Sequence, residues 1–141
     1  MTAPLTRQAS CVAIGGRGVL IEGPPGSGKS SLALALIDRG AALVCDDAIL
    51  LSARAGALFA APHPRLVGLL EVRNCGILRF PASDGARVCL LLRLDPAAPR
   101  FIDEAGCETI AGIAVPALLL TPDSPVLALR AELALKTYGL P

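Results

Sequence analysis

The sequence predicts an α/β fold, because many short apolar segments typical of strands accompany only two segments with helical periodicity. The clearest strand is Arg87–Leu94, where the apolar run Val88–Leu92 is typical of a strand buried on both faces. The two helical segments are Ser31–Arg39 and a C-terminal segment that extends to Thr137. The other predicted strands are Ala9–Ile14, Arg17–Glu22, Ala42–Cys45, Ala48–Ser52, Ala57–Ala61, Ile77–Phe80, Glu108–Gly112 and Val115–Leu120.

Turn and capping residues set the limits of these elements. Gly15 and Gly16 separate two strands by two residues, which predicts a tight hairpin turn. Gly40 follows the first helix and is suited to end it in a left-handed conformation. In the C-terminal helix, Ser124 is the predicted cap and Pro125 takes the favoured first position. The residues predicted to share one face of this helix are Val126, Leu129 and Leu133.

Composition restricts the classes of function. The chain has 141 residues, 53% of them hydrophobic and 18% charged, which is typical of one globular domain over residues 1–141. A net charge of +1 with no basic block argues against nucleic-acid binding. No apolar run approaches the ~20 residues that span a bilayer, and Met1–Ser10 lacks the pattern of a signal peptide. A cytoplasmic protein with no membrane partner is therefore expected.

The segment Gly23–Ser30 matches the phosphate-binding pattern G-x-x-x-x-G-K-[ST]. Its glycines let the backbone N–H groups point inward, and the following helix directs its positive dipole end at the same place. Lys29 can neutralise charge on the outer phosphates, and the Ser30 hydroxyl can ligate Mg²⁺. The candidate nucleotide-binding residues are Gly23, Pro24, Pro25, Gly26, Ser27, Gly28, Lys29, Ser30 and Ser31.

Two adjacent carboxylates, Asp46 and Asp47, follow the predicted strand Ala42–Cys45. An acidic residue at such a strand end commonly holds the magnesium ion beside a phosphate loop. One carboxylate could orient the metal while the other takes a proton from an attacking hydroxyl. In an extended strand neighbouring side chains point to opposite sides, so the two would not face the metal equally. The alternative is a solvated turn after the strand.

A second charged island, Glu71-Val72-Arg73, interrupts an apolar stretch. Glu71 and Arg73 share a face if this segment is extended, so both could face a phosphate–metal centre. The residues by themselves favour a salt-bridged strand on the surface.

Together these motifs resemble the HPr kinase/phosphorylase family, bacterial enzymes that act on a serine of the phosphocarrier protein HPr. The resemblance covers roughly Gln8–Leu78 and rests on Val19–Ser30, Leu43–Asp47 and Leu69–Ile77. It implies a phosphate-loop kinase domain similar to phosphoenolpyruvate carboxykinase, with a mixed sheet, a helix after the loop and a C-terminal helix. The short chain looks like the alphaproteobacterial form that consists essentially of the catalytic domain.

The resemblance also implies roles for individual residues. Asp47 would be the base for phosphorylation and the acid for the reverse reaction, while Ser30, Glu71 and Asp46 would hold Mg²⁺. Lys29, Asp46 and Arg73 would complete the catalytic set, and a strand around Glu71–Leu78 would support both reactions. ATP would be the phosphoryl donor, an HPr-like protein the partner, and a homo-oligomer, a hexamer in typical members, the assembly.

Three positions depart from the family pattern. The histidine usual upstream of the phosphate loop is Gln8 here, and glutamine can hydrogen-bond a phosphate but cannot shuttle a proton. Ser31 replaces a common acidic residue, and Asn74 replaces the usual glycine. The C-terminal segment offers no clear match to the basic loop with which the family contacts HPr. These departures bear on catalysis, and on the phosphorylase direction most of all.

Three hypotheses about function follow. The first is a protein-serine kinase, possibly also a phosphorylase, that acts on an HPr-like phosphocarrier and so regulates the phosphotransferase system. The second is a nucleotide-binding regulatory protein with little kinase activity, which the changes at Gln8, Ser31 and Asn74 motivate. The third is a small-molecule kinase or a simple NTPase, for which no lid or substrate motif is visible.

Overall fold

The computed structural model describes residues 4–141, so the first three residues of the segment Met1–Ser10 lie outside that range. Within it, neither helix is long and apolar enough to cross a membrane. The elements are β1 (Leu5–Arg7), β2 (Ser10–Ile14), β3 (Arg17–Glu22), α1 (Lys29–Asp38), β4 (Ala42–Cys45), β5 (Ile49–Arg54), β6 (Ala57–Pro62), β7 (Leu69–Val72), β8 (Gly76–Arg79), β9 (Ala86–Leu94), β10 (Gly106–Ile110), β11 (Ile113–Leu120) and α2 (Leu127–Tyr138).

Nine of the strands form one mixed sheet, which confirms the predicted α/β fold. The main order is β1-β5-β6-β9-β3-β2-β4, and β11 joins β9 and carries β10 beside it. β9 runs parallel to β3 and to β11, whereas the other pairs of this sheet are antiparallel. The two remaining strands, β7 and β8, form a separate hairpin. The sheet therefore brings the start of β2 together with the ends of β3 and β4, beside the start of α1.

The core lies on both faces of this sheet, and β9 contributes to each. Leu90 and Leu92 pack in the cluster that includes residues of α1 and α2, while Val88 and Leu91 pack in the cluster on the opposite face. All four side chains are fully buried. The continuous apolar run of β9 is thus explained by burial on two sides, as predicted.

Helix α1 begins at Lys29, two residues before the predicted start, and its preceding residue Gly28 has a φ of 102°. The helix ends at Asp38, and Gly40 has a φ of 109°. The amide of Gly40 donates to the carbonyl of Ile37 at 3.0 Å, and the next amide donates to Leu36 at 3.0 Å. The predicted left-handed glycine at this end is therefore confirmed.

Helix α2 starts later than predicted, and the apolar face predicted for it is the exposed one. It begins at Leu127, after Val126, so Ser124 is not its cap; the Ser124 hydroxyl instead accepts a bond from the Val126 amide at 3.2 Å. Val126, Leu129 and Leu133 are 44%, 43% and 51% exposed. The helix has two apolar faces, and the one that carries two alanines packs in the core. That buried face consists of Leu127, Ala131, Ala134 and Leu135.

The segment around Glu71–Leu78, expected to be one strand, is a hairpin formed by β7 and β8. The chain reverses because Asn74 and Gly76 have φ values of 71° and 112°, and the Cys75 amide donates to the Val72 carbonyl at 3.0 Å. Asparagine is among the few residues other than glycine that accept such a backbone. The replacement of the family's usual glycine by Asn74 therefore preserves the turn.

A network of four charged residues joins the strands next to the phosphate-loop sequence. Arg7 pairs with Glu22, and its Nη2 donates to Oε2 of Glu108 at 2.6 Å. Arg93 also pairs with Glu108, and its Nε lies 3.2 Å from Oε1 of Glu22. Each glutamate therefore contacts both arginines. The network links β1, β3, β9 and β10 immediately before Gly23.

This network makes the folded chain lose stability at acid pH. Burial acts to raise the pKa of Glu108, but hydrogen bonds from Arg93 and Arg7 outweigh it and leave the pKa below its ordinary value. Between the pKa of Glu108 in the folded chain and its ordinary value of 4.5, the unfolded chain consequently binds more protons than the folded chain. The stabilisation is therefore present above pH 4.5 and is lost as the pH falls through the pKa of the folded chain. We expect urea unfolding to give Glu108→Gln a lower free energy of unfolding than the natural chain at pH 7. Between pH 7 and pH 3, the free energy of unfolding should fall less in Glu108→Gln than in the natural chain.

The matched control is Glu104→Gln, which changes an exposed glutamate four positions away. It should retain the acid dependence of the natural chain. Equal pH dependence in the natural chain and in Glu108→Gln would contradict the role of the network.

Candidate functional site

The loop Gly23–Ser30 leaves β3 and opens α1, as its pattern predicts. Gly26 and Gly28 have φ values of 78° and 102°, and a Cβ at either would meet no atom within 4 Å. Glycine is needed at these two positions for backbone conformation. At Gly23, in contrast, a Cβ would lie 2.4 Å from the Ser27 hydroxyl, so glycine is needed there for close approach. The loop thus has the curled backbone expected of an anion-binding loop.

The first turn of α1 carries no acidic side chain of its own, because Ser31 stands where the resemblance leads one to expect one. The positive end of the helix dipole and the free N–H groups therefore have no competing carboxylate on this helix. Lys29 folds back over the loop, and its Nζ donates to the Gly23 carbonyl at 3.1 Å.

Two clefts open on either side of this loop, with volumes of about 470 Å³ and 460 Å³. We call the first the hairpin cleft, because it lies between the loop and the β7–β8 turn. We call the other the aspartate cleft, because Asp46 and Asp47 line it. The residues common to both are Gly26, Lys29, Ser30 and Glu71.

Asp46 contacts the loop directly. Its Oδ1 accepts hydrogen bonds from the Ser30 hydroxyl at 2.9 Å and from the Ser10 hydroxyl at 2.8 Å. Ser30 also lies 3.2 Å from Oδ2. The end of β4 therefore places this carboxylate against the first turn of α1.

Asp47 takes a different position from its neighbour. β4 ends at Cys45, so neither aspartate belongs to the strand, and the expected alternation of an extended chain does not apply. Asp47 has a φ of 70°, which turns the chain so that its exposed side chain also lines the aspartate cleft. The two carboxylates thus share a cleft, and Asp46 is the one bonded to Ser30.

The other predicted site residues divide between the clefts. Gln8 lines the aspartate cleft with Asp47 and Lys29. Arg73 and Ser31 line the hairpin cleft. Glu71 lines both, while Arg73 lies in the β7–β8 turn beyond the end of β7.

Two features of the site were missed by the sequence analysis. Ser10 bonds to Asp46, and the only signal for it is a polar residue within the apolar segment Ala9–Ile14. The aspartate cleft also has an apolar wall formed by Leu66, Leu69 and Ile77. Nothing in the local sequence pattern distinguishes these three from core residues.

The oxygen atoms at the loop fit a hard cation. Ser30 and Asp46 are in contact, and Glu71 lines the same cleft. Among residues 4–141 no group of three or more His, Cys, Asp or Glu side chains could hold a metal alone. Mg²⁺ commonly takes one or two carboxylates and completes its shell with water and substrate phosphates. The donors present therefore fit Mg²⁺ bound together with a phosphate.

These features define an α/β protein with a glycine-rich loop at a helix N-terminus and a strand-end carboxylate bonded to that loop. The family described as "HPr Serine kinase C-terminal domain" matches residues 1–90. The chain therefore belongs to this family, which confirms the resemblance found in the motifs.

Individual relatives agree with this assignment. The chain is 38% identical over 82 residues to the HPr kinase/phosphorylase of Mycoplasma mycoides, and 53% identical over 64 residues to that of Bordetella pertussis. These matches cover 58% and 45% of this chain but only 26% and 21% of the relatives. A solved structure of the Hpr(Ser) kinase/phosphatase from Coxiella burnetii matches with a TM-score of 0.84 and 31% identity, covering 94% of each chain. The predicted fold type is thereby confirmed.

Proposed function

We propose that this chain is a Mg²⁺-dependent protein-serine kinase that transfers the γ-phosphoryl group of ATP to a serine of an HPr-like phosphocarrier protein. The observation that carries this proposal is the bond from Ser30 to Asp46, which joins the phosphate-binding loop to the acidic pair. The HPr kinase/phosphorylase relatives supply the class of acceptor.

In this proposal the nucleotide occupies the hairpin cleft and the acceptor serine enters the aspartate cleft. The loop amides and Lys29 bind the phosphates, and Arg73 adds positive charge from the β7–β8 turn. Gly26, Lys29, Ser30 and Glu71 border both clefts, so the transferred group lies where the two meet. Most of the rate enhancement then comes from positioning and charge neutralisation.

The proposed reaction breaks one bond and forms one. The acceptor hydroxyl oxygen bonds to the γ-phosphorus, the bond to the β-phosphate oxygen breaks, and ADP leaves. Asp47 takes the hydroxyl proton. Ser30, Asp46 and Glu71 would hold the magnesium ion, which offsets the negative charge of the phosphates when it is bound.

Gln8 limits the proposal to the forward direction. Its side chain lines the aspartate cleft, where an amide can donate a hydrogen bond to a phosphate oxygen. An amide does not accept a proton near neutral pH, so it supplies no acid–base group for phosphoserine cleavage. The second candidate, a nucleotide-binding regulatory protein, is favoured by the same residue.

The test measures transfer of labelled phosphate from ATP–Mg²⁺ to the folded phosphocarrier protein of the same organism. The control is a variant of that partner in which the acceptor serine is replaced by alanine. We expect label on the natural partner and none on the variant. No transfer, with Mg²⁺-dependent ATP binding retained, would reject the kinase and favour the regulatory protein. Transfer to small hydroxyl compounds instead would favour a small-molecule kinase.

We also propose that residues 1–141 act as one domain that self-associates in the cytoplasm. Support for self-association comes from large apolar side chains that the fold leaves exposed. Phe101 is 77% exposed, and the outer face of α2 carries Val126, Leu129 and Leu133. The hexamer of the family is the expected assembly.

A further inference from the structure

We infer that Ser10 is a positioning residue for the metal site, because its hydroxyl holds the Asp46 carboxylate in the orientation that Mg²⁺ binding requires. The inference rests on the proposed binding of Mg²⁺ with a nucleotide at Ser30 and Asp46. It does not depend on which molecule accepts the phosphoryl group.

Burial sets Ser10 apart from other polar residues. It is 0% exposed and is the one buried polar or charged side chain found among residues 4–141. Its neighbours Ala9 and Cys11 are also 0% exposed and apolar. A hydroxyl at such a position loses its contact with water, and this cost is offset only by a good hydrogen bond. The bond to Asp46 Oδ1, at 2.8 Å, is that compensation.

Strand pairing brings the two residues together. β2 and β4 are antiparallel neighbours, and Cys11 pairs with Cys45. Ser10 precedes the first of these residues and Asp46 follows the second, so they are adjacent across the strands. Because side chains alternate along a strand, Ser10 points to the same face as Val12, which packs in the cluster containing α1. Helix α1, whose first turn contains Ser30, packs on that face.

The bonding pattern leaves Ser30 available to a cation. Both hydroxyls donate to Oδ1 of Asp46, at 2.8 Å from Ser10 and 2.9 Å from Ser30. A serine that donates its hydrogen to a carboxylate keeps its oxygen lone pairs free for a metal. Ser10 is too deeply buried to be a ligand itself. Its contribution is a second hydrogen bond to the same carboxylate oxygen that Ser30 contacts, which restrains Asp46.

The expected effect is on Mg²⁺ affinity. Residues that orient metal ligands typically alter affinity by about 10–100-fold when they are removed. With Ser10→Ala, the Asp46 carboxylate would keep only its contacts with the Ser30 hydroxyl, which is itself a proposed ligand. We therefore expect the Mg²⁺ concentration for half-maximal ATP binding to rise by about 10-fold or more. Binding of ATP in the presence of EDTA should be unchanged, because the loop amides and Lys29 do not contact Ser10.

The experiment is calorimetric titration of ATP into the natural chain and into the variants Ser10→Ala, Ser10→Thr and Cys11→Ala, across a series of Mg²⁺ concentrations and in EDTA. Ser10→Thr keeps the hydroxyl and should restore most of the Mg²⁺ affinity lost in Ser10→Ala. Cys11→Ala alters the adjacent buried residue on the opposite face of β2, so it controls for general loosening of the strand. Thermal unfolding of each variant identifies any that does not fold.

The outcomes separate this inference from the proposed function. Unchanged Mg²⁺ dependence in Ser10→Ala, an equal loss in EDTA, or ATP binding without Mg²⁺ dependence in the natural chain would overturn the inference. A loss of Mg²⁺ affinity matched by Cys11→Ala would also overturn it. Failure to phosphorylate the phosphocarrier, with the predicted Mg²⁺ effect present, would reject the kinase and support the role of Ser10.

Discussion

Substitution of Lys29 by alanine is expected to reduce phosphotransfer by about 10³-fold, because no other lysine lies at the loop. Lys29 is the first residue of α1 and its Nζ reaches back to the Gly23 carbonyl, so the amine lies over the loop. Removing it takes away the positive charge that the loop itself offers to the transferred group. Alanine is a strong helix former, so α1 should still form. Single-turnover transfer of labelled phosphate measures the effect.

The chain provides a matched control for this substitution. Lys136 is the second and last lysine of the sequence, and it is exposed in the last turn of α2. Lys136→Ala removes the same charge and should retain the natural rate. If Lys29→Ala also retained that rate, the loop would not be the phosphate site.

Substitution of Asp47 by asparagine is expected to lower kcat by about 10²–10⁴-fold and to leave ATP binding unchanged. Asparagine has the same shape and tolerates the φ of 70° found at this position. It cannot take the proton of the acceptor hydroxyl, so the loss falls on the chemical step. Steady-state transfer to the phosphocarrier, together with ATP titration, separates the two effects.

Asp103→Asn is the control, because it removes an exposed aspartate that lines neither cleft. It should behave as the natural chain in both measurements. Equal losses of ATP affinity and of kcat in Asp47→Asn would assign Asp47 to metal or nucleotide binding. If Asp47→Asn transferred phosphate at the rate of the natural chain, another group would take the proton.

Much of the candidate site could be predicted because its parts are local in sequence. The loop Gly23–Ser30 is eight consecutive residues between a strand and a helix, and its backbone conformation follows from its own glycines. The acidic pair was placed correctly at the end of the next strand. Short-range patterns of this kind carry their structural meaning in neighbouring residues.

The charged network and the restraint on Asp46 could not be predicted, because they join residues distant along the chain. Arg7 and Glu108 are 101 positions apart, and Ser10 and Asp46 are 36 apart. Their contacts depend on which strands become neighbours in the sheet. No local periodicity encodes that order, so no pattern in the sequence indicated the contacts that Arg7, Ser10 and Glu108 make.

The sequence by itself determined the α/β class, the phosphate-binding pattern, the strand-end carboxylates and the family, since each depends on residue types at short spacing. Only the tertiary structure decided how the β7–β8 hairpin lies against the loop to form two clefts that share Lys29 and Glu71. It also decided which apolar face of α2 is buried. The physical reason is that helical spacing fits either face equally, and close packing against the sheet selects the one that carries Ala131 and Ala134.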